Sequence, residues 1–139
     1  MKKLSAVLLM ALVLAGCGSS AKEVKGSGES AVNKEGDKAT AEIVMKGDEV
    51  VSIKLDETKK GKSKKELGND YGMKSDSKKA KKEWFEQIKY LEDYIVKNGL
   101  DKVKLGDDGK ATGDDILAGC TVSLTSVMEA ANNAKEAAK

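Results

Sequence analysis

Ala39, Ala41, Ile43 and Met45 alternate with Thr40, Glu42 and Val44, a period of two that predicts a strand with one buried face. Lys46-Gly47-Asp48-Glu49 carries turn chemistry, and Val51, Ile53 and Leu55 share one side of a second strand over Val50–Leu55. The two form a hairpin. A shorter strand over Glu29–Asn33 is expected to join them through a turn at Lys34-Glu35-Gly36-Asp37. From Asp56 to Met73 the apolar periodicity fades, and the stretch reads as a lysine-rich loop. Helical spacing follows: Ala80, Trp84, Ile88, Leu91 and Ile95 form one stripe within Ser77–Asn98, broadened by Phe85 and Tyr94. Ser75, Asp76 or Ser77 is its expected N-cap, and Asn98-Gly99 its stop. Lys102–Leu105 predicts a further short strand ahead of a turn at Asp107-Asp108-Gly109. Leu124, Val127, Met128, Ala131 and Ala138 predict a C-terminal helix, with Ser123 as candidate N-cap and Ser126 and Glu129 at capping-box spacing. The sum is an α+β fold, a small antiparallel sheet packed by a long central helix and a C-terminal amphipathic helix.

The N-terminus follows a different logic. Lys2 and Lys3 precede an apolar run of eleven residues, Leu4–Leu14, too short for a permanent span of ~20 residues. Small residues before Cys17 complete a signal-peptide pattern. Leu14-Ala15-Gly16-Cys17 resembles the lipobox of bacterial lipoproteins, which implies cleavage after Gly16, diacylation of Cys17 and a lipid anchor on the extracytoplasmic face of the cell membrane. Two acyl chains suffice for stable anchoring. The expected organisation is a signal peptide over 1–16, a lipid-anchored flexible tether over 17–28 and one domain over 29–139.

Composition narrows the chemistry. Removing Met1–Gly16 leaves 23 positive against 23 negative charges, so nothing points to nucleic acid. Arginine and histidine are absent. The chain therefore lacks guanidinium forks for phosphate, imidazole ligands for a metal and the Ser-His-Asp and Cys-His forms of catalysis. The Asp107–Gly109 turn lacks the alternating ligands and closing Glu of a calcium loop, and no metal site is indicated. With Cys17 committed to lipid, Cys120 has no disulfide partner and reads as a small space-filling residue. Ten lysines between Lys59 and Lys82 read as a solvated loop or, alternatively, a basic rim for phosphate, a redox partner or anionic envelope polymers.

The remaining chemistry lies in Asp114–Ser123, DDILAGCTVS. Thr121 precedes a helix N-terminus, where backbone N–H groups and the helix dipole favour phosphate. These residues fit equally a strand-to-helix turn in which Thr121 merely caps. The frame Asp115-x-x-Ala118-Gly119-Cys120-Thr121, however, resembles the flavinylation motif of bacterial FMN-binding domains, with Ala118 where Ser or Thr is usual and Cys120 where Ala is usual. The hairpin AEIVMKGDEVVSIKLDE, the run Asn69-Asp70-Tyr71-Gly72-Met73 and the helix carrying Glu83-Trp84-Phe85-Glu86-Gln87 extend the resemblance to FMN-binding lipoproteins of Gram-positive bacteria, pheromone-precursor lipoproteins among them.

That resemblance implies an electron-transfer flavin carrier rather than an enzyme. Thr121 would hold one FMN as a phosphoester, and Asp115 and Gly119, flanked by Ala118 and Cys120, would be read by a magnesium-dependent flavin transferase that uses FAD as donor. Tyr71, Gly72 and Met73 are candidates to line the flavin ring site, whereas Trp84 reads as a core anchor. A membrane dehydrogenase or quinol would supply electrons for an extracellular acceptor. The alternative is a binding or signalling lipoprotein without flavin, whose cleaved leader, ending in Leu9–Gly16, resembles hydrophobic octapeptide pheromones.

Overall fold

Four strands form one antiparallel sheet in the order β1-β2-β3-β4: β1 (Glu23–Glu29), β2 (Ala39–Lys46), β3 (Glu49–Lys59) and β4 (Lys62–Ser63). The computed structural model describes residues 21–76 and 81–139, so the expected signal peptide, Cys17, Ser77 and Ala80 lie outside the described residues. The hairpin over β2 and β3 turns at Lys46–Glu49 as its sequence predicts, with a bulge between Val44 and Met45. Ala39, Ala41, Ile43 and Met45 are buried, as are Val50, Ile53 and Leu55 across from them. Val51 is exposed, so the predicted face of β3 begins with Val50 instead. The bulge accounts for this, since one extra residue changes which side chains face the core.

Helix α3 (Trp84–Asn98) packs on β3, and α5 (Thr125–Ala137) lies across β1 and β2. Trp84, Ile88, Leu91 and Ile95 from α3 and Val127, Ala130, Ala131 and Ala134 from α5 belong to one core over the sheet. The tryptophan is only 3% exposed and is a core anchor as its spacing predicts. The architecture is α+β.

The first strand departs from its predicted place. It spans Glu23–Glu29 and pairs along its length with β2, so half of the segment that reads as a tether is sheet. Its glycines obscure the periodicity because they are packing residues. A Cβ on Gly26 would lie 2.1 Å from the carbonyl oxygen of Ala134, and one on Gly28 would lie 2.3 Å from the Ala134 nitrogen. Residues 34–36 form the predicted turn, closed by Asn33, whose side-chain oxygen accepts from the N–H groups of Glu35 and Asp37.

The lysine-rich stretch is also more ordered than its composition predicts. β3 runs on to Lys59 and turns into β4 through Lys60 and Gly61, with φ values of 52° and 77°. Two positive values match the hairpin turn that follows strand twist. Asp37 clamps this turn: its Oδ1 accepts from the Gly61 N–H and the Thr58 hydroxyl. The backbone N–H groups of Gly61 and Lys60 hold its carboxyl below the usual range. Then come α1 (Lys64–Leu67), a 3-10 turn over Gly68–Tyr71 and α2 (Met73–Asp76). Buried Lys64 pairs with Glu57, while Lys65 pairs with buried Glu92 of α3. Lysines that look like a solvated run thus join α1 to the sheet and to α3.

Helix ends differ from expectation as well. Glu83 caps α3 in a reciprocal box with Glu86, whereas Ser75 donates to the Gly72 carbonyl. Leu124, not Ser123, is the N-cap of α5 and makes no side-chain cap bond. Ser123 and Thr125 have their hydroxyls against Gly109, and Glu129 accepts from the Ala31 N–H rather than closing a box with Ser126. In place of a strand at Lys102–Leu105 there is a 3-10 turn over Leu100–Lys102 and a single bridge between Leu105 and Ala111. The turn at Asp107–Gly109 forms as predicted, with Gly109 at φ 76°.

Close approach of β1 to α5 leaves no room for a methyl group. Gly28→Ala is expected to lower unfolding stability by about 1–3 kcal/mol through overpacking, with Ser27→Ala on the exposed side of the strand near neutral. Urea denaturation of both variants checks this.

Candidate functional site

The segment that carries the motif folds into one tight unit. Gly113 starts α4 (Asp114–Leu117), and the N–H groups of Ala118, Gly119 and Cys120 return to the carbonyls of Asp114 and Ile116. Ile116 and Cys120 point into the core, while Asp114, Asp115, Ala118 and Thr121 remain exposed. The alternation follows from the sequence. Two apolar side chains four residues apart bury one side of a single helical turn and turn the rest outward.

One row of side chains on α3 and its cap holds this unit. Glu83, Gln87, Tyr90 and Tyr94 are spaced four, three and four residues apart, so they share one face. Tyr94 donates to Asp115 Oδ2 at 3.0 Å, and Tyr90 donates to the Asp115 carbonyl at 2.6 Å. Burial first, then the bond to Asp115, raises the Tyr94 phenol above its ordinary pKa. The Tyr90 ring lies flat against Gly119, where a Cβ would sit 2.3 Å from Cγ of the ring. Lys82 has its Nζ 5.6 Å from the centroid of the same ring. Gln87 is 4% exposed, and its Oε1 accepts the Thr121 N–H at 2.9 Å with the Thr121 hydroxyl at 3.3 Å. Glu83, at the head of the row, accepts the N–H groups of Met73 and Lys74.

The structure therefore brings Asp115, Ala118 and Thr121 together on one surface, with Gly119 buried under the Tyr90 ring and Cys120 in the core. Burial pushes the Cys120 thiol up to about 11, against a smaller opposing contribution from the Val122 N–H. Cys120 fills core space and presents no thiolate, so its side chain is not available to touch a cofactor at this surface. Glycine is required at position 119 by the Tyr90 ring, a more specific reason than general freedom of approach. Thr121 stands four residues ahead of α5, and its own N–H is already taken by Gln87.

Tyr71 and Met73 line a separate cleft of about 490 Å³ together with Lys59, Lys60, Lys62, Leu67 and Asp70. Its size lies within the usual range for small-molecule sites, ~300–1,000 Å³. Gly72 does not line it; this residue closes the preceding 3-10 turn at φ 80°. Thr121 is not among the lining residues either. The two places are joined through α3, since Glu83 fixes the Met73 backbone one helical turn from Gln87. Lys64 braces the cleft from behind, with its Nζ 5.1 Å from the Tyr71 ring centroid and 5.2 Å from that of Trp84.

Sequence patterns bring out Tyr94 only as a broadening of the apolar stripe and give Gln87 no role. The available signal is a polar residue within the buried face between Trp84 and Ile88. Its partner is invisible because it lies 34 residues away in sequence.

No protein-family model matches the chain, and no curated protein sequence matches it. The fold is similar to that of a Clostridium thermocellum protein solved by solution NMR as a structural-genomics target. The two are 27% identical, with 84% of this chain and 92% of the other covered and a TM-score of 0.54.

Burial of Cys120 has a direct chemical consequence. In a Cys17→Ser background, where one thiol remains, native protein is expected to react with a thiol reagent at least about 100-fold more slowly than urea-unfolded protein, since the thiolate is both scarce and covered. Stopped-time thiol assays at neutral pH measure the ratio.

Proposed function

We propose that the chain is a membrane-anchored extracytoplasmic flavoprotein in which Thr121 carries FMN as a phosphoester and which relays electrons from the membrane to extracellular acceptors. The observation that carries this reading is the exposed Thr121 hydroxyl on a turn whose flanking motif residues, Asp115 and Gly119, are fixed by two tyrosines of α3. A modifying enzyme needs such an arrangement, with an accessible nucleophile on a backbone that does not have to be ordered first.

The residues fit the group in part. Thr121 would hold it, and Lys82 supplies positive charge next to the Tyr90 ring on which Gly119 packs. Asp115 keeps its exposed carboxylate at the surface as a recognition feature for a magnesium-dependent transferase with FAD as donor. Tyr71 and Met73 offer an aromatic and a polarizable wall in the basic cleft, where a planar ring is suited to stack. Cys120 and Gly72 contribute packing and turn geometry instead. When bound, flavin supplies one- and two-electron transfer, and the protein supplies position and environment. Covalent attachment suits a carrier tethered through Cys17 outside the cell, where a dissociated cofactor is lost. Membrane quinol or a membrane dehydrogenase is the proposed electron donor.

Expression of the full chain with a flavin transferase is expected to add the mass of FMN less one water and give in-gel flavin fluorescence. Thr121→Ala should abolish both, and Thr121→Ser should retain them. Unmodified wild-type protein under conditions where a known acceptor domain is loaded would contradict the reading.

A further inference from the structure

We propose that Gln87 is a positioning residue for modification of Thr121, orienting the hydroxyl that attacks the flavin donor; this rests on the phosphoester reading above. The amide is itself fixed. Its Nε2 donates to the Lys82 carbonyl at 3.0 Å, and because a carbonyl can only accept, the NH₂ end must face Lys82 and the oxygen must face Thr121. That oxygen binds the Thr121 N–H firmly at 2.9 Å and the hydroxyl more loosely at 3.3 Å. The short contact sets the backbone, and the longer one biases the side-chain rotamer.

Several features distinguish this arrangement from incidental packing. Gln87 is 4% exposed, so both of its ends need partners, and both have them within the protein. Thr121 is exposed, so its hydroxyl needs no protein partner for solvation. With its hydrogen directed at a neutral acceptor, the hydroxyl oxygen keeps its lone pairs free for attack on an enzyme-bound donor. The carboxamide is too weak a base to remove the proton and serves only to aim it.

The step balances without oxidant or reductant. Thr121 Oγ1 forms a bond to the flavin-side phosphorus of FAD, the bond from that phosphorus to the bridging oxygen breaks, and AMP leaves with the electron pair. The hydroxyl proton passes to a base of the transferase or to water. After the step the Gln87 oxygen still holds the Thr121 N–H, so the turn stays in place with the group attached.

The test measures FMN incorporation by intact mass into the full chain at varied chain concentration, with transferase and FAD. Gln87→Met removes both polar ends at similar volume, and Gln87→Asn keeps the amide but shortens its reach by one methylene. We expect Gln87→Met to lower kcat by about 10–100-fold, the scale of a misoriented reacting group, with KM within about threefold, and Gln87→Asn to lower kcat in the same direction. In unmodified protein the Thr121 amide should be protected from hydrogen exchange in wild type and unprotected in Gln87→Met. Loading of folded Gln87→Met at the wild-type kcat overturns the assignment. Where Gln87→Met fails to fold, Gln87→Asn decides: a lowered kcat with the fold intact supports the role, and loading at the wild-type kcat overturns it. A wild-type chain that accepts no FMN removes the phosphoester reading itself, an outcome separate from normal loading of the variant.

Discussion

Everything at the candidate site depends on one helix having two faces with different duties. Trp84, Ile88, Leu91 and Ile95 bury one side of α3 against β3 in the common core, which fixes the helix in space. Glu83, Gln87, Tyr90 and Tyr94 then use that fixed position to hold two loops. Apolar burial supplies the non-directional anchoring, and hydrogen bonds supply the directions. Without the first, the second would have to order a short segment by themselves. Such an ordering costs roughly 1–2 kcal/mol per residue in backbone entropy, more than a few exposed hydrogen bonds return.

Small residues bring the parts close enough for this to work. Gly26 and Gly28 let α5 rest almost on the backbone of β1, and Gly119 lets the motif turn lie on the ring of Tyr90. In each case the missing methyl group is what permits contact. The buried charges have a comparable role. Lys65 with Glu92, and Lys64 with Glu57 beneath two aromatic rings, connect α1 to the sheet and to α3, and so place the loop that forms the cleft. Glu92 also accepts the Leu55 N–H, so one carboxylate joins α1, α3 and β3.

Local periodicity made the β2–β3 hairpin, the long helix and the C-terminal helix legible, because each repeats one pattern long enough to exceed noise. It failed where packing replaced pattern. β1 reads as tether because Gly26 and Gly28 interrupt its alternation for the sake of α5. The stretch from Asp56 to Met73 reads as loop because its one buried side chain is a lysine, Lys64, paired with Glu57 of β3, while half-buried Lys65 pairs with Glu92 of α3. The ends of α3 and α5 shifted because Ser75, Ser123 and Ser126 have the right chemistry for caps but Glu83 and Leu124 have the right places. At the site, the exposed Thr121 and the turn around Gly119 were legible from spacing. The bracket formed by Gln87, Tyr90 and Tyr94 was not, since it exists only once α3 and α4 are brought together over more than twenty residues of chain.

Under the proposed function, this bracket presents one particular hydroxyl, that of Thr121, for attachment of FMN. The tryptic peptide Ala111–Lys135 contains Thr112, Thr121, Ser123, Thr125 and Ser126, which makes localisation decisive. Fragmentation mass spectrometry of this peptide, from protein isolated from its native cells, is predicted to place a phosphate-linked flavin on Thr121 alone. An unmodified peptide, or a flavin on any of the other four hydroxyls, would contradict the account.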